Sequence, residues 1–333
     1  MTGAQISAVV VAWNSGESLV VCLEALRESA ARAGASVELV VVDNGSSDDS
    51  ASRARASGAH VLVRNPVNAG YGVAAAQGIA RASAGWILLL NPDVVVARDF
   101  VHQMLQTASS APADVASLVP DLRFASNTAV VNCRGVEVDS VGIPAEIEAG
   151  RAASAIVKPR EIFGGSSGAC LLHAEALHGL GGLEPAFFAY LEDVDLAWRL
   201  QGAGYRALLV PGAVAYHEGS ASAGEGSPLK AFLVARNRRI LFRLNGPPGL
   251  RVRAWRTLIE LGHALIASAG GTGTAPWRGR LDALRLRRYT GFVRTSRELT
   301  GPLSAKRTLA PRAGLLETLR RKRAVSREMR RHT

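Results

Sequence analysis

The chain has 333 residues, 48% of them hydrophobic, which is ample for one large buried core and a smaller addition. Its three cysteines, Cys22, Cys133 and Cys170, lie far apart without CxxC spacing, which excludes a disulfide scaffold or zinc ribbon and suits a reducing compartment. Charge divides the chain: residues 1–227 hold 14 Lys+Arg against 23 Asp+Glu, whereas residues 228–333 hold 25 against 5, so an acidic domain and a basic helical region are expected, with 318–333 disordered.

Ile6–Ala12 (ISAVVVA) reads as a buried strand and Glu17–Arg32 as an amphipathic helix. Val37–Val42 is the next strand, followed by a helix near Ser50–Ser57, a strand over His60–Val63, a small-residue helix from Gly72 to Ala82 and the strand Trp86–Leu90 (WILLL). Continuous apolar strands alternating with helices predict an α/β fold, a doubly wound and mostly parallel sheet covered on both faces. Each strand runs into Asn, Asp, Gly or Ser, so polar groups gather at the carboxyl edge, where such sheets bind ligands. Short antiparallel strands are expected around Val115–Val119 and Ala129–Val138. Residues 139–160, poor in hydrophobic anchors, read as a mobile loop. A strand at Ala169–His173, a helix at Asp193–Gln201 and a strand at Arg206–Val210, closed by Pro211-Gly212, follow. From Leu229 the pattern is helical and Arg-rich, broken at Gly246–Gly249 and Gly270–Pro276.

Several strand ends carry chemistry. Asp43 can accept hydrogen bonds from a ribose or base; the competing reading is an Asx turn that caps the next helix. Asn68-Ala69-Gly70 opens a helix whose N-terminal amides suit a diphosphate. Asn91-Pro92-Asp93 follows its strand without a loop, and the proline aims Asp93 out of the edge. A hard cation takes one or two carboxylates plus phosphate oxygens, although Asp93 would equally cap a helix over Val94–Leu105. Glu192, Asp193 and Asp195 follow the aromatic cluster Phe187-Phe188-Ala189-Tyr190. A carboxylate partly buried there has its pKa raised toward use as a base; alternatively, the acids decorate a first helical turn. His217 alone reads as a structural histidine. Ala12-Trp13-Asn14-Ser15-Gly16 after the first strand is no GxGxxG, which argues against a dinucleotide-binding oxidoreductase.

The ordered series VVVAWNSGESL, VVDNGSSDDS, NPVNAGYGVAAAQGI, ILLLNPDV, FGGSSGACLL, FFAYLEDVDLAWRLQGAGY and YHEGSAS resembles the family 2 glycosyltransferases of GT-A fold, over about residues 5–245, and looks closest to their bacterial rhamnosyltransferase-like branch. The resemblance implies that Val11, Ala12, Trp13, Asn14 and Asp43 frame the nucleobase and ribose, and that Asn68 and Gly70 line the nucleotide pocket. Asn91 and Asp93 stand in place of the family's Asp-x-Asp element. Asp93 and His217 would hold Mg²⁺ or Mn²⁺, with Asp193 as base in the Glu192-Asp193 pair. Two departures are Asn91 for the first acid and Gln77 where relatives carry Asn. The implied activity is inverting transfer from a nucleotide-sugar donor, dTDP-rhamnose by branch resemblance, with a UDP-hexose or galactofuranose donor open. A lipid-linked saccharide or glycan of the cell envelope is the implied acceptor. A nucleotide-sugar-binding protein without turnover is the alternative that Asn91 suggests.

The basic region adds amphipathic stretches at Leu229–Arg243 and Trp255–Ile266. Arg-rich amphipathic helices settle on anionic membrane surfaces, and Asp195, Arg236 and Arg238 are candidate acceptor contacts. A solvated helical face is the plainer reading. Nucleic acid is not expected as a partner, because no nucleic-acid module is present and few aromatics interleave the arginines. No apolar run reaches the roughly 18–20 residues of a membrane span. Met1–Ser7 has no basic leader region, so the expected location is the cytoplasm, peripheral to the membrane.

Overall fold

The computed structural model describes residues 4–153, 158–218, 226–246 and 249–285, with Val325 and Glu328. The expectation for 318–333 therefore falls almost wholly outside the described residues. The first half alternates as its apolar pattern requires: β1 (Ile6–Ala12), α1 (Gly16–Arg32), β2 (Val37–Asp43), α2 (Ser50–Ala56), β3 (Val61–Arg64), α3 (Tyr71–Ile79) and β4 (Trp86–Leu90). Strands β3-β2-β1-β4 run parallel, and β1 pairs with β2 on one side and β4 on the other. The order reverses there, opening a crevice beyond the carboxyl ends of β1, β2 and β4.

Side chains two apart along each strand enter the same core. Val10, Val41, Leu88 and Leu90 pack under α1 and the helix Phe100–Ser110, while Val9, Val11, Val42 and Leu89 pack under α3 and the helices Ala174–Gly179 and Glu192–Gly202. Each fully buried Val, Leu or Ile contributes about 1.5–3 kcal/mol, so both faces fix the register.

Several expectations change in the second half. A helix over Val94–Leu105 does not form; the β-branched run makes β5 (Val94–Val96), and α4 (Phe100–Ser110) starts later. The small-residue helix ends at Ile79 rather than Ala82. Strand β6 (Val115–Phe124) is longer than expected and pairs with β7 (Asn127–Cys133). The segment read as mobile contains β9 (Pro144–Glu146), which pairs with β8 (Val136–Val138) in a small two-stranded sheet. It is tied down by Arg134, fully buried and bridged to Asp121 (2.7 Å) and Glu148 (2.5 Å). After β10 (Arg160–Ile162), β11 (Ala169–His173) and α5 (Ala174–Gly179), a 3-10 turn at Pro185–Phe187 leads into α6 (Glu192–Gly202).

Pro211-Gly212 does not close the next strand. β12 spans Arg206–His217, and a register shift against β6 between Val210 and Val214 absorbs the two residues as an irregularity. The sheet order is β10-β12-β6-β11-β4-β1-β2-β3, with β11 antiparallel to both neighbours. The α/β class and GT-A doubly wound architecture stand, with a helical extension of α7 (Pro228–Asn245), α8 (Leu250–Ala267), a π-helical turn and α9 (Ala275–Arg285). Ser227 caps α7 by accepting from the Lys230 amide. Ile240, Leu241 and Ala283 share a buried cluster with Phe187, Val194 and Trp198, which fastens the extension to α6.

Candidate active site

At the crevice, Asp43 is buried; its Oδ1 accepts from the Ser46 amide (3.1 Å), and its Oδ2 lies 3.6 Å from Arg64. The Asx turn is therefore present and occupies one carboxylate oxygen. Val11 and Ala12 are buried in β1, and Trp13 is half-buried. Asn14 holds a left-handed backbone (φ 50°) and accepts from the Ser47 amide at 2.8 Å, tying the first strand end to the second. Such a strained turn suits a side chain with local hydrogen bonds.

Asn44, unassigned from sequence, is the hub of the next turn. Its Nδ2 donates to Asn68 Oδ1 (3.0 Å), and its Oδ1 accepts from Asn65 Nδ2 (2.9 Å) and the Ala69 amide (3.1 Å). Gln77 enters this network by accepting from Asn65 at 2.9 Å. The Gly70 amide donates to Asn68 Oδ1 (2.9 Å) and the Gly72 amide to the Phe188 carbonyl (3.4 Å). The start of α3 is thus covered by the loop before α6, contrary to an open diphosphate cradle. Gly70 is required there: its φ is 89°, and a Cβ would lie 2.6 Å from the Phe188 ring.

Strand β5 brings the candidate metal ligands together. Val94 pairs with His217, and the Glu218 amide donates to the Asp93 carbonyl. Asp93 Oδ2 and His217 Nε2 lie 3.3 Å apart, both side chains largely buried. Nε2 nevertheless has no hydrogen-bond partner of good geometry. The other ring nitrogen, Nδ1, lies 3.1 Å from Asn132 Oδ1, which sits where β7 loses register with β6. With Asn132 Oδ1 as acceptor, Nδ1 carries a hydrogen, and Nε2 is the nitrogen turned to Asp93. Burial disfavours the charged ring, but Asp93 outweighs it and holds the His217 pKa above its ordinary value.

Asp93 Oδ2 and His217 Nε2 could supply two ligands to a divalent cation. Among the described residues no group of three or more His, Cys, Asp or Glu side chains could enclose one. Two protein ligands suit Mg²⁺ or Mn²⁺, which keep water and substrate phosphates as partners. Asn91 contributes backbone contacts: its amide donates to the Gly168 carbonyl (2.9 Å), and its carbonyl accepts from Cys22 Sγ.

That amide also leads to the carboxylates. One residue before Gly168, the Ser167 amide donates to Asp193 Oδ2 (3.2 Å), while Asp193 Oδ1 accepts from the Val194 amide (2.8 Å). Tyr71 of α3 donates its hydroxyl to the Ser167 carbonyl at 3.2 Å. The FGGSSG segment thus lies between Asn91 and Asp193, a placement its glycines alone did not disclose. Burial raises both members of the acid pair. Glu192, with Oε2 unpartnered, is pushed up to about 8 by burial and by Asp193. Asp193 is also raised by burial, against the amides that favour its ionised form. Burial thus makes both carboxyls better proton acceptors than a solvent-exposed acid.

The loop before α6 is costly. Phe188, Tyr190 and Leu191 all have positive φ (63°, 72° and 70°) without being glycine. Asn237 of α7, completely buried, holds it: its Nδ2 donates toward the carbonyls of Phe187 (2.8 Å), Ala189 (2.7 Å) and Tyr190 (2.8 Å). Arg236 donates to the Ala186 carbonyl (2.8 Å) and pairs with Asp282 (3.2 Å). Arg238 meets Glu260 (3.4 Å) and His263 (2.7 Å). Both arginines therefore serve packing of the helices rather than an open acceptor surface. Asp195 is likewise corrected: it is buried, paired with Arg199 (2.8 Å) and accepting from Asn245 (2.7 Å).

The sequence profile of glycosyl transferase family 2 matches residues 7–180, more than half of the chain, and the chain belongs to that family. A curated relative, the N-acetylglucosaminyl-diphospho-decaprenol L-rhamnosyltransferase of Mycobacterium tuberculosis (strain ATCC 25618 / H37Rv), is 29% identical over 218 residues, covering 56% of this chain and 68% of the relative. Among solved structures, GalNAc-T7 with UDP, GalNAc and Mn²⁺ matches 72% of this chain with a TM-score of 0.57 and 16% identity. This chain spans about half of that structure (48%). The mannosyltransferase PcManGT from Pyrobaculum calidifontis, in complex with GDP-Man and Mn²⁺, matches with a TM-score of 0.54 and 16% identity, over 92% of this chain and 86% of that one. These structures share the GT-A fold with the present chain. The profile includes Asp93 but ends before Asp193 and His217.

Proposed function

We propose that the chain is an inverting, divalent-metal-dependent glycosyltransferase that moves L-rhamnose from dTDP-rhamnose to a polyprenyl-diphosphate-linked saccharide, at the cytoplasmic face of the membrane, in cell-envelope polysaccharide synthesis. The rhamnosyl group and the polyprenyl-diphosphate acceptor follow the mycobacterial relative, whose name contains a rhamnosyl transfer and a diphospho-decaprenol, and the dTDP carrier follows the branch resemblance. The observation that carries the chemistry is the run from Asn91 through Gly168 and Ser167 to Asp193, which joins the Asp93–His217 pair to a raised carboxylate at one sheet edge.

Asp93 and His217 would hold Mg²⁺ or Mn²⁺, which supplies charge stabilisation for the leaving diphosphate. Asp43 and the turn after β1 receive the nucleoside. Asp193 takes the proton of the acceptor hydroxyl as its oxygen bonds to the anomeric carbon. The bond from that carbon to the diphosphate oxygen breaks, its electron pair leaves with the nucleotide, and the anomeric centre inverts. Glu192, when protonated, keeps a second negative charge away from the base.

A thermal-shift panel of nucleotide sugars with and without Mn²⁺ tests the donor. Stabilisation by dTDP-rhamnose above UDP-hexoses and UDP-galactofuranose, dependent on Mn²⁺, is expected; selective stabilisation by a UDP sugar reassigns the donor. Retention of the donor's anomeric configuration in the product would contradict the single displacement. Donor binding without transfer or hydrolysis would favour a binding protein.

A further inference from the structure

The helical extension is built inside out. In α8 the residues turned inward, Arg256, Glu260 and Ala264, recur every four positions, and the first two are charged. Arg256 lies over the Phe242 ring at 4.4 Å, and Glu260 is surrounded by Arg238 (3.4 Å), Arg280 (3.5 Å) and His263 (3.7 Å). Burial opposes the Glu260 charge, but these cations outweigh it and hold its pKa below the usual carboxylate value. The outward stripe holds Trp255, Leu258, Leu265 and Ile266, each more than half exposed, while Leu281 and Leu284 extend the apolar surface onto α9. Gly262 lies in the same stripe, and a Cβ there would meet nothing within 4 Å.

Single exposed apolar side chains are ordinary on a soluble surface, but a contiguous stripe over a buried charge cluster is not. Water as the neighbour would favour the opposite arrangement, because burying paired charges costs desolvation. The charges at the rim identify the occupant. Arg251, Arg253, Arg278 and Arg285 are exposed, whereas the acids of α8 and α9 are Glu260, buried, and Asp282, paired with Arg236. A second copy docking the same face would set these arginines against their own kind. An anionic lipid surface offers both an apolar layer and the opposite charge. Among the described residues no helix is long and apolar enough to cross a membrane, so contact with a bilayer would be made by a face and not by a span.

We propose that the outward face of α8 and α9, centred on Trp255, Leu258, Leu265 and Ile266, is the surface by which the protein docks on an anionic membrane. It rests on the proposed function in that a lipid-linked acceptor gives the docking a purpose. It also moves the contact away from α7, whose Arg236 and Arg238 face inward. The same α7 carries Asn237 on the loop that presents Asp193, so the docked helices and the base belong to one packed unit.

The test is sedimentation of the full chain with vesicles of phosphatidylglycerol and phosphatidylcholine, compared with phosphatidylcholine alone. The wild type is expected to bind the anionic vesicles, and Leu258→Glu with Leu265→Glu to weaken that binding by about tenfold or more. Circular dichroism and donor-dependent thermal stabilisation should be unchanged in this variant, since neither side chain is buried. Arg251→Glu with Arg253→Glu should weaken binding more in low than in high salt. Equal binding by wild type and the leucine variant would overturn the proposal. So would absence of wild-type binding, or a solution dimer that the variant dissociates. Trp255 fluorescence shielded from a soluble quencher in the free protein and unchanged by vesicles would show the chain covering its own face, and would also overturn it. Vesicle binding with no nucleotide sugar stabilised would instead sink the proposed function and leave the docking face standing.

Discussion

The acid pair at the sheet edge and the helical extension treat charge in opposite ways. At the sheet edge, carboxylates are brought close without basic partners: Glu192 sits beside Asp193 in a buried first turn, with an unpartnered oxygen. In the helical extension, Glu260 is enclosed by two arginines and a histidine, and Arg236 is paired with Asp282. Unneutralised buried charge is unfavourable for folding and useful for chemistry, whereas satisfied buried charge fixes packing. The difference teaches that the overall positive charge of the chain says little about where its arginines act, since several of them are internal.

The sharpest way to break this comparison is at the metal pair. Asp93→Ala should abolish measurable Mn²⁺ binding and lower turnover by about a thousandfold, the equivalent of several kcal/mol of lost charge stabilisation. Calorimetry with Mn²⁺ and nucleotide checks it, and unaltered affinity would remove Asp93 from the site. A smaller effect is expected one layer out. Asn132→Leu frees the His217 tautomer and should weaken Mn²⁺ binding roughly 10–100-fold, with the nitrogen shifts of His217 reporting the change.

Asn237→Ala addresses the contact between the two regions. It leaves three carbonyls of a strained loop without their donor and should cost about 1–3 kcal/mol of stability by urea denaturation. Turnover should fall with little change in donor affinity; loss of donor affinity alone would place the loop's role in binding. The mildest effect concerns pH. A carboxyl raised to about 8 in the folded protein binds its proton more tightly than in the unfolded chain, so stability falls as pH rises from the ordinary carboxylate range toward 8. Glu192→Gln should flatten that slope and keep most activity at neutral pH. A slope unchanged by the substitution would show that Glu192 is ionised already.

Much of the first half was legible because one pattern repeats. ISAVVVA, VELVVV and WILLL are too apolar to lie anywhere but between two helical layers, and the polar residues following them mark the binding edge. The parts that were not legible depend on contacts distant in sequence. Val94-Val95-Val96 becomes a strand because Ala215–His217 pairs with it, and that pairing is what carries His217 to Asp93. Pro211-Gly212 reads as a terminator until β6 accommodates it as an irregularity. Asn132, Asn237 and Ser167 gave no local signal: each acts through one or a few hydrogen bonds to a residue at least 26 positions away. Asp195 misled for the opposite reason, since its neighbours in sequence are catalytic candidates while its partners, Arg199 and Asn245, are structural.

The central assignment is that Asp193, not its acidic neighbours, takes the acceptor proton. Asp193→Asn keeps the shape of the side chain and one acceptor oxygen for the Ser167 or Val194 amide, while removing its basicity. Turnover and donor affinity measured together on this variant, in saturating Mn²⁺, test it most directly. The expected result is a fall in kcat of about 10²–10⁴-fold with an unchanged donor Kd. A donor Kd weakened as much as kcat, or a kcat close to that of the wild type, would contradict the account.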